Sequence, residues 1–197
     1  MTEKRQQEFR RAVDIALIHY PVINKGGETI GSAVTNLDLH DIARAAITFG
    51  VDNYYVVTPY PDQHSLIQEI LEHWQTGHGA TYNPARKAAL ERIKISASLE
   101  TTLAMVTEQR GRKPLLLTTS ARLQENSLSY REARHRIEDG EPVLLLFGTG
   151  HGLAPEINEI ADYSLLPIES ITGYNHLSVR SAVSIILDRL LGVRQEE

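Results

Sequence analysis

Three glycines alternate with other residues in the segment FGTGHGL, residues 147–153, directly after an apolar stretch. Glycines spaced in this way let the backbone approach a ligand closely and expose its N–H groups. A dinucleotide fingerprint would follow the first strand and open a long helix. This segment instead lies in the last third of the chain, with Pro155 close behind it and no Gly-Lys-Ser/Thr phosphate motif. It predicts a ligand-binding backbone loop, with a tight strand-to-helix turn as the simpler alternative.

Two further segments place polar side chains beside apolar or glycine-containing stretches. One is NLDLHDIARAAITFGV at residues 36–51, and the other is LPIESITGYNHLSV at residues 166–179. The chain has no Gly-x-Ser-x-Gly elbow, so a Ser-His-Asp hydrolase is a poor fit. Its eight histidines form no His-x-x-x-His pair and no cluster with acidic residues. We therefore expect no metal site.

The composition excludes several classes of protein. The chain has 197 residues, of which 42% are hydrophobic, and it contains no cysteine. A chain of this length can bury a core without disulfides, and the lack of cysteine excludes thiolate metal sites and a cysteine nucleophile. No apolar run approaches the ~20 residues of a membrane span, and the N-terminus lacks the apolar core of a signal peptide. We expect a cytoplasmic protein.

Short apolar runs alternate with amphipathic ones, which is typical of an α/β fold with a mostly parallel sheet and helices on both faces. The runs YYVVT and PVLLLF are apolar throughout, as in strands that are covered on both sides. The last helix is apolar nearly all round, which predicts burial in a core or a partner subunit. The predicted strands are Val13–His19, Asn53–Thr58, Arg92–Ser96, Pro114–Thr118, Val143–Phe147 and Tyr163–Leu166. The predicted helices are Asp38–Phe49, Gln63–Gln75, Leu99–Arg110, Tyr130–Asp139 and about Asn175 to Leu191.

Two long loops separate these elements. Pro21–Thr35 follows the first predicted strand, and Ile168–Asn175 lies between the last strand and the last helix. Loops that follow strand ends are where α/β proteins bind their ligands. Both loops are therefore candidate parts of a site.

In their order along the chain, the segments at residues 36–51, 147–153 and 166–179 resemble the three motifs of the SPOUT superfamily, the trefoil-knotted methyltransferases that use S-adenosylmethionine. The first is similar to a motif of the branch that methylates tRNA ribose, and the second to a glycine loop under the cofactor. The pattern HYPVIN at residues 19–24 is shared with a small bacterial group described only as RNA methyltransferases. The resemblance implies a single domain over residues 1–197 with a C-terminal trefoil knot within about residues 114–192.

The motifs also depart from those of the ribose-methylating branch. That branch usually has Asn-Glu in the glycine loop, where this chain has Thr149 and Gly150. Its third motif usually reads Ser-Leu-Asn-Val-Ser, so His176 stands where an Asn is expected. The resemblance therefore implies S-adenosylmethionine-dependent methylation of RNA, such as tRNA or rRNA, and leaves open whether a ribose oxygen or a base nitrogen accepts the methyl group.

The resemblance assigns candidate catalytic roles to Asn36, Arg44, His176 and Ser178. Arg44 could stabilise a developing alkoxide but cannot act as a base. His176 could act as a base, because the unperturbed pKa of histidine is near neutral. A ring nitrogen would need less activation, and hydrogen bonds from Asn36 would then suffice. The simpler alternatives are a solvated Arg44 and helix-capping roles for His176 and Ser178.

The same resemblance places the cofactor on loops that follow three strands and are read mostly through backbone groups, with the adenine in an apolar slot. Leu117 is a further candidate wall of that slot. The candidate cofactor-binding residues are Thr118, Thr119, Leu146, Phe147, Gly148, Thr149, Gly150, Leu166, Ile168, Tyr174, Asn175 and Leu177.

The expected partners are RNA and a second copy of the chain, because the superfamily completes its site across a dimer. The formal net charge is -5, yet residues 81–136 hold 11 Lys and Arg against 5 acidic residues. A basic region within an acidic chain suits a protein that presents one face to a polyanion; ordinary solvated helix faces are the alternative. The predicted RNA-docking residues are Arg110, Arg112, Lys113, Arg122, Arg131, Arg134 and Arg136.

Two other functions fit the same fold. One is a methyltransferase that acts on a protein or a small molecule, and the other is a non-catalytic, knotted RNA-binding or regulatory protein. Affinity that falls steeply with salt is expected only for an RNA ligand. A lack of S-adenosylmethionine binding would favour the non-catalytic protein.

Overall fold

A computed structural model describes residues 12–76 and 83–193 of the chain. Strands and helices alternate along most of this length. The strands are β1 (Val13–Ile18), β2 (Val22–Ile23), β3 (Thr29–Ile30), β4 (Tyr54–Val57), β5 (Ile93–Ser96), β6 (Leu115–Thr118), β7 (Ser127–Leu128), β8 (Val143–Gly148) and β9 (Tyr163–Leu165). The helices are α1 (Asn36–Thr48), α2 (Pro61–Gln75), α3 (Pro84–Leu90), α4 (Leu99–Arg110), α5 (Tyr130–Glu138), α6 (Pro155–Ile160) and α7 (Val179–Leu191).

Seven strands form one sheet in the order β5-β4-β1-β8-β6-β9-β7, and every pairing within it is parallel. The short strands β2 and β3 form a separate antiparallel hairpin after β1. The predicted α/β fold with a mostly parallel sheet is therefore confirmed. All six predicted strands are present, and the hairpin, β7, α3 and α6 are additions.

Both faces of the sheet are covered by helices. On one face, alternate residues of β1 and β8 pack with buried residues of α1, α5 and α7, such as Leu39, Ala133 and Val183. On the other face, the remaining residues pack with α4 and α6 through Leu99, Val106 and Ile157. Burial on both faces explains why the central strands are apolar throughout.

The last helix begins later than predicted, at Val179 instead of about Asn175. Ser178 caps it, because its hydroxyl accepts a hydrogen bond from the backbone N–H of Ser181. Asn175 instead donates its side-chain amide to the carbonyl of Ala121, 2.9 Å away. A tertiary contact therefore holds Asn175 outside the helix.

Candidate functional site

Three loops meet at the carboxyl edge of the sheet. They follow β6, β8 and β9, and in the sheet β6 lies between the other two strands. Parallel strands end at the same edge, so these loops are neighbours, as in other α/β sheets that bind ligands at this edge. They are the first loop (residues 119–126), the glycine loop (148–153) and the third loop (166–178). The three loops predicted to hold a cofactor are thus placed side by side.

Glycine is required by the conformation of the glycine loop. Gly150 has a φ of 61° and Gly152 a φ of 122°, in the region that side chains rarely adopt. At Gly148, a Cβ atom would lie 2.7 Å from the backbone nitrogen of Leu153. The loop therefore turns back on itself so tightly that a side chain at Gly148 would meet the backbone of Leu153.

The first loop is tied to the end of β8. Thr119 donates both its backbone N–H and its hydroxyl to the carbonyl of Leu146, at 3.1 and 2.9 Å. The side chains of Thr118, Leu146 and Phe147 are buried in the sheet, as is that of Leu117. These four residues can therefore offer a ligand only backbone groups.

The third loop exposes apolar side chains instead. Tyr174 is 71% and Leu177 47% exposed, and Leu166 is partly exposed beside them. Ile168 packs against the core and is half-buried. Of the predicted cofactor-binding residues, these four can present an apolar side-chain surface.

The candidate catalytic residues divide between α1 and the approach to α7. Asn36 begins α1 and lines a groove of about 370 Å³ with Glu69, Ile70, His73 and Trp74. None of these lining residues belongs to the three cofactor loops.

Arg44 is exposed on α1, eight residues beyond Asn36 and thus about 12 Å further along the helix axis. Since α1 leads to β4, this displacement takes Arg44 toward the amino edge of the sheet and away from the cofactor loops. Within a single protomer, Arg44 and the glycine loop are therefore not brought together.

His176 is exposed and its ring contacts that of Tyr174, with 5.2 Å between ring centroids.

The first and third motifs nevertheless pack against each other. Arg180, in the first turn of α7, has its Nε atom 3.8 Å from carboxylate oxygens of Asp38 and Asp41 on α1. The start of α7 is therefore held beside α1, together with the residues just before it, His176 and Ser178. The structure supports the capping alternative for Ser178, because its hydroxyl caps α7.

His19 is a candidate that sequence reasoning missed. It follows β1 at the carboxyl edge, is fully buried, and hydrogen bonds through Nδ1 to the Ser32 hydroxyl at 3.0 Å. Burial lowers the pKa of His19 to about 4, so the ring is neutral near pH 7. The only signal in the sequence was its place in the pattern HYPVIN, which carries no chemistry by itself.

Several of the residues predicted to dock RNA have partners within the protein. Arg110 binds the carboxylates of Asp14 and Asp52 at 2.6 and 2.7 Å, at the amino edge of the sheet. Arg112 donates to the carbonyl of Gly140 at the same edge. Arg134 donates to the carbonyls of Arg189 and Gly192, and Arg136 pairs with Glu141.

These four arginines are engaged within the fold, and those at the amino edge lie opposite the cofactor loops. Arg122 lies in the first loop and is exposed, and Arg131 is exposed near the start of α5. Four of the seven predicted RNA-docking residues therefore have partners within the protein, and docking of RNA on these residues stays a prediction. In the part of the chain that the structure describes, no group of three or more metal-binding side chains is found. The described helices likewise include none long and apolar enough to cross a membrane.

The fold is that of known methyltransferases. The SpoU methyltransferase AviRb from Streptomyces viridochromogenes, solved in complex with the cofactor AdoMet, superimposes with a TM-score of 0.54 at 14% sequence identity. The match covers 91% of this chain and 58% of AviRb. The chain therefore has a fold similar to that of AviRb.

The sequence identifies the family. Residues 12–192 match the family model described as SAM-dependent RNA methyltransferase, so the chain belongs to this family. An uncharacterised protein of Aquifex aeolicus is 40% identical over 179 residues, which are 90% of this chain and 87% of that protein. The predicted membership of a family of RNA methyltransferases that depend on S-adenosylmethionine is thereby confirmed.

A tRNA (guanine-N(1)-)-methyltransferase of Oleidesulfovibrio alaskensis is 44% identical over 177 residues. The match covers 90% of this chain but only 41% of that protein. More than half of the relative therefore has no counterpart in the matched region, and its named activity belongs to the longer protein.

Proposed function

We propose that the chain methylates tRNA or rRNA at the carboxyl edge of its sheet, in the cytoplasm. The observation that carries this proposal is the convergence of the first, glycine and third loops in a member of an RNA methyltransferase family. These loops follow neighbouring parallel strands, where α/β proteins bind ligands. We also propose that the chain forms a trefoil knot within about residues 114–192.

The loops fit an adenosyl group. The glycine loop has no side chain at three of its six residues, and the third loop offers apolar surface at Leu166, Ile168 and Leu177. Backbone groups of the first loop lie between these two loops, because β6 lies between β8 and β9. When bound, S-adenosylmethionine supplies an electrophilic methyl group, so the protein needs no covalent nucleophile. The proposed cofactor-binding residues are Thr118, Thr119, Leu146, Phe147, Gly148, Thr149, Gly150, Leu166, Ile168, Tyr174, Asn175 and Leu177.

We propose that the site is completed by a second copy of the chain. Arg44 is exposed on α1 and lies away from the glycine loop of its own protomer. Apolar side chains are also exposed on α1 and in the third loop, with Leu37 60% and Ile171 fully exposed. An exposed apolar surface of this kind is typical of an interaction site. A dimer would cover it and bring Arg44 to the partner's cofactor loops.

In that site, Arg44 stabilises negative charge on the acceptor, and Asn36 orients the acceptor by hydrogen bonding. His176 is exposed in the third loop and accepts the proton if a hydroxyl is methylated. Ser178 holds the start of α7 through its cap and so fixes the segment that carries His176. Correct alignment of acceptor and methyl group is the main requirement of such a transfer.

Subunit mixing tests this arrangement. Arg44→Ala lacks the proposed cation, and Gly148→Ala disrupts the glycine loop, so each homodimer is expected to be inactive in methyl transfer to RNA. A mixed dimer contains one site with an intact loop and an intact Arg44. Random mixing should then restore about one quarter of wild-type activity, because half of the dimers have one working site of two. No recovery in demonstrably mixed dimers would contradict a site completed by the partner.

A further inference from the structure

A chain of three polar side chains connects the end of β1 to the glycine loop. His19 Nδ1 lies 3.0 Å from the Ser32 hydroxyl oxygen, and Ser32 is hydrogen bonded to the hydroxyl of Thr149. Thr149 in turn donates to the carbonyl of Ile18 at 3.1 Å. The chain joins residues 117 positions apart in sequence, between Ser32 and Thr149.

In one direction, Thr149 donates its hydroxyl proton to the carbonyl of Ile18, Ser32 donates to Thr149, and His19 donates to Ser32 from Nδ1–H. The backbone N–H of Thr149 also donates to the carbonyl of Ile18, and the Ser32 hydroxyl also lies 3.4 Å from the carbonyl of His19. The ring of His19 therefore decides the direction. If Ser32 instead donated to Nδ1, the proton of the neutral ring would lie on Nε2. A buried N–H without a partner costs more free energy than a buried nitrogen lone pair without one. Among the described residues, His19 Nε2 has no hydrogen-bond partner, which fits an unprotonated nitrogen.

The backbone of the same segment also holds the glycine loop. Ile23, in β2, donates its N–H to the carbonyl of Gly152 and accepts a hydrogen bond from the N–H of His151, at 3.0 and 2.9 Å. A Cβ atom at Gly150 would lie 3.0 Å from the carbonyl of Ile23. The loop is therefore held by backbone at one end and by the Ser32 hydroxyl at Thr149.

We propose that His19 is a positioning residue, which acts through Ser32 and Thr149 to hold the glycine loop in the conformation that binds S-adenosylmethionine. The proposal rests on the proposed function, because it assumes that this loop binds the cofactor. It gives a role to the glycine-containing segment after β1, which the three family motifs leave unused. His19 itself is fully buried, so the proposed effect passes through Ser32 and Thr149.

Calorimetric titration with S-adenosylmethionine tests the chain directly. Ser32→Ala and Thr149→Val each remove the hydrogen bond between the two hydroxyls together with the other bond of the deleted hydroxyl, and each is expected to raise the Kd about tenfold. The double variant should bind about as weakly as either single variant, because both changes break the same chain. Ser65→Ala is the matched control, since it removes an exposed hydroxyl whose bond is to the carbonyl of Pro61 on α2. Its Kd should equal that of the wild type.

Substitution of His19 separates positioning from packing. His19→Leu removes the donor, and His19→Asn retains an N–H near the position of Nδ1. The asparagine variant is expected to bind S-adenosylmethionine within about threefold of the wild type, and the leucine variant about tenfold more weakly. Nitrogen NMR of the wild type should show His19 protonated at Nδ1 and not at Nε2.

The outcomes distinguish the two proposals. If the wild type binds S-adenosylmethionine and Ser32→Ala binds it equally well, the role of His19 is refuted and the proposed function stands. A ring protonated at Nε2 would likewise overturn the positioning role. If the folded wild-type protein does not bind S-adenosylmethionine at millimolar concentration, both proposals fail.

Discussion

Buried polar groups at the two edges of the sheet differ in how completely they are hydrogen bonded. At the amino edge, Asp14 is fully buried, and its carboxylate accepts hydrogen bonds from Arg110 and from the backbone and side chain of Asn53. At the carboxyl edge, His19 is equally buried but keeps one ring nitrogen without a partner among the described residues. The amino edge is satisfied and closed, while the carboxyl edge holds an incompletely satisfied network beside exposed apolar loops.

This difference separates stability from function. Removing one partner of a buried ion pair destabilises the folded protein, because the remaining charge is then buried without compensation. Perturbed groups beside a cleft are more typical of functional sites. Substitutions at the amino edge should therefore change stability with little effect on cofactor binding, and those at the carboxyl edge should change binding or its pH dependence.

The largest expected effect on stability is at the amino edge. Asp14→Ala leaves Arg110 with only Asp52 as a carboxylate partner, and we expect a loss of about 3 kcal/mol in the free energy of unfolding. Denaturant titration measures this loss. Glu141→Ala, which removes the partner of the more exposed Arg136, is the matched control and should cost less than about 1 kcal/mol.

The affinity of the folded Asp14→Ala protein for S-adenosylmethionine should equal that of the wild type. A Kd raised as much as in Ser32→Ala would show that the two edges are not separate in function.

The next largest effect is expected at the carboxyl edge, where His19 makes the free energy of unfolding depend on pH. The pKa of His19 is lowered to about 4 in the folded protein, mainly by burial and against the opposing charge of Asp38 on α1. The unfolded chain takes up a proton near pH 6.5 while the folded protein does not. Stability from this residue is therefore present at pH 7 and is lost as the pH falls toward 4. We expect a loss of about 2 kcal/mol between pH 7 and pH 5.

Denaturant titrations at pH 7 and pH 5 check this value by comparing the wild type with His19→Asn. The variant lacks the titrating ring, so its stability should fall less over this range by about the same 2 kcal/mol. Parallel pH profiles of the two proteins would refute a neutral buried His19.

The smallest effect concerns Ser178, and it separates a helix cap from a catalytic hydroxyl. Ser178→Ala should cost about 1 kcal/mol of stability, whereas Ser178→Asp retains a capping oxygen and should cost much less. We expect Ser178→Asp to keep the methyl-transfer activity of the wild type. Normal stability with lost activity would instead assign the hydroxyl a part in the reaction.

The sequence was informative where structure is set by local patterns. Apolar runs predict the six main strands, and all six are present in the sheet. The glycine loop was found from its spacing alone. Resemblance to a family, and not composition or periodicity, supplied the cofactor and the candidate catalytic residues.

Long-range contacts account for what the sequence did not show. Arg110 pairs with Asp14, 96 positions away, so its basic charge could not be distinguished from a docking charge. The short β2 is fixed by its bridge to Leu153 beside the glycine loop. His19 lies at the end of an apolar run and resembles a core residue until its contact with Ser32 is known.

Transfer of labelled methyl groups to RNA tests the central claim most directly. The wild-type protein is incubated with S-adenosylmethionine carrying a labelled methyl group and total RNA from cells that lack the gene, and the RNA is digested to nucleosides for mass spectrometry. The account predicts one labelled nucleoside, whose structure identifies the methylated atom, and no label with Gly148→Ala. Tight binding of S-adenosylmethionine without label in the RNA, at enzyme in excess over RNA, would contradict it.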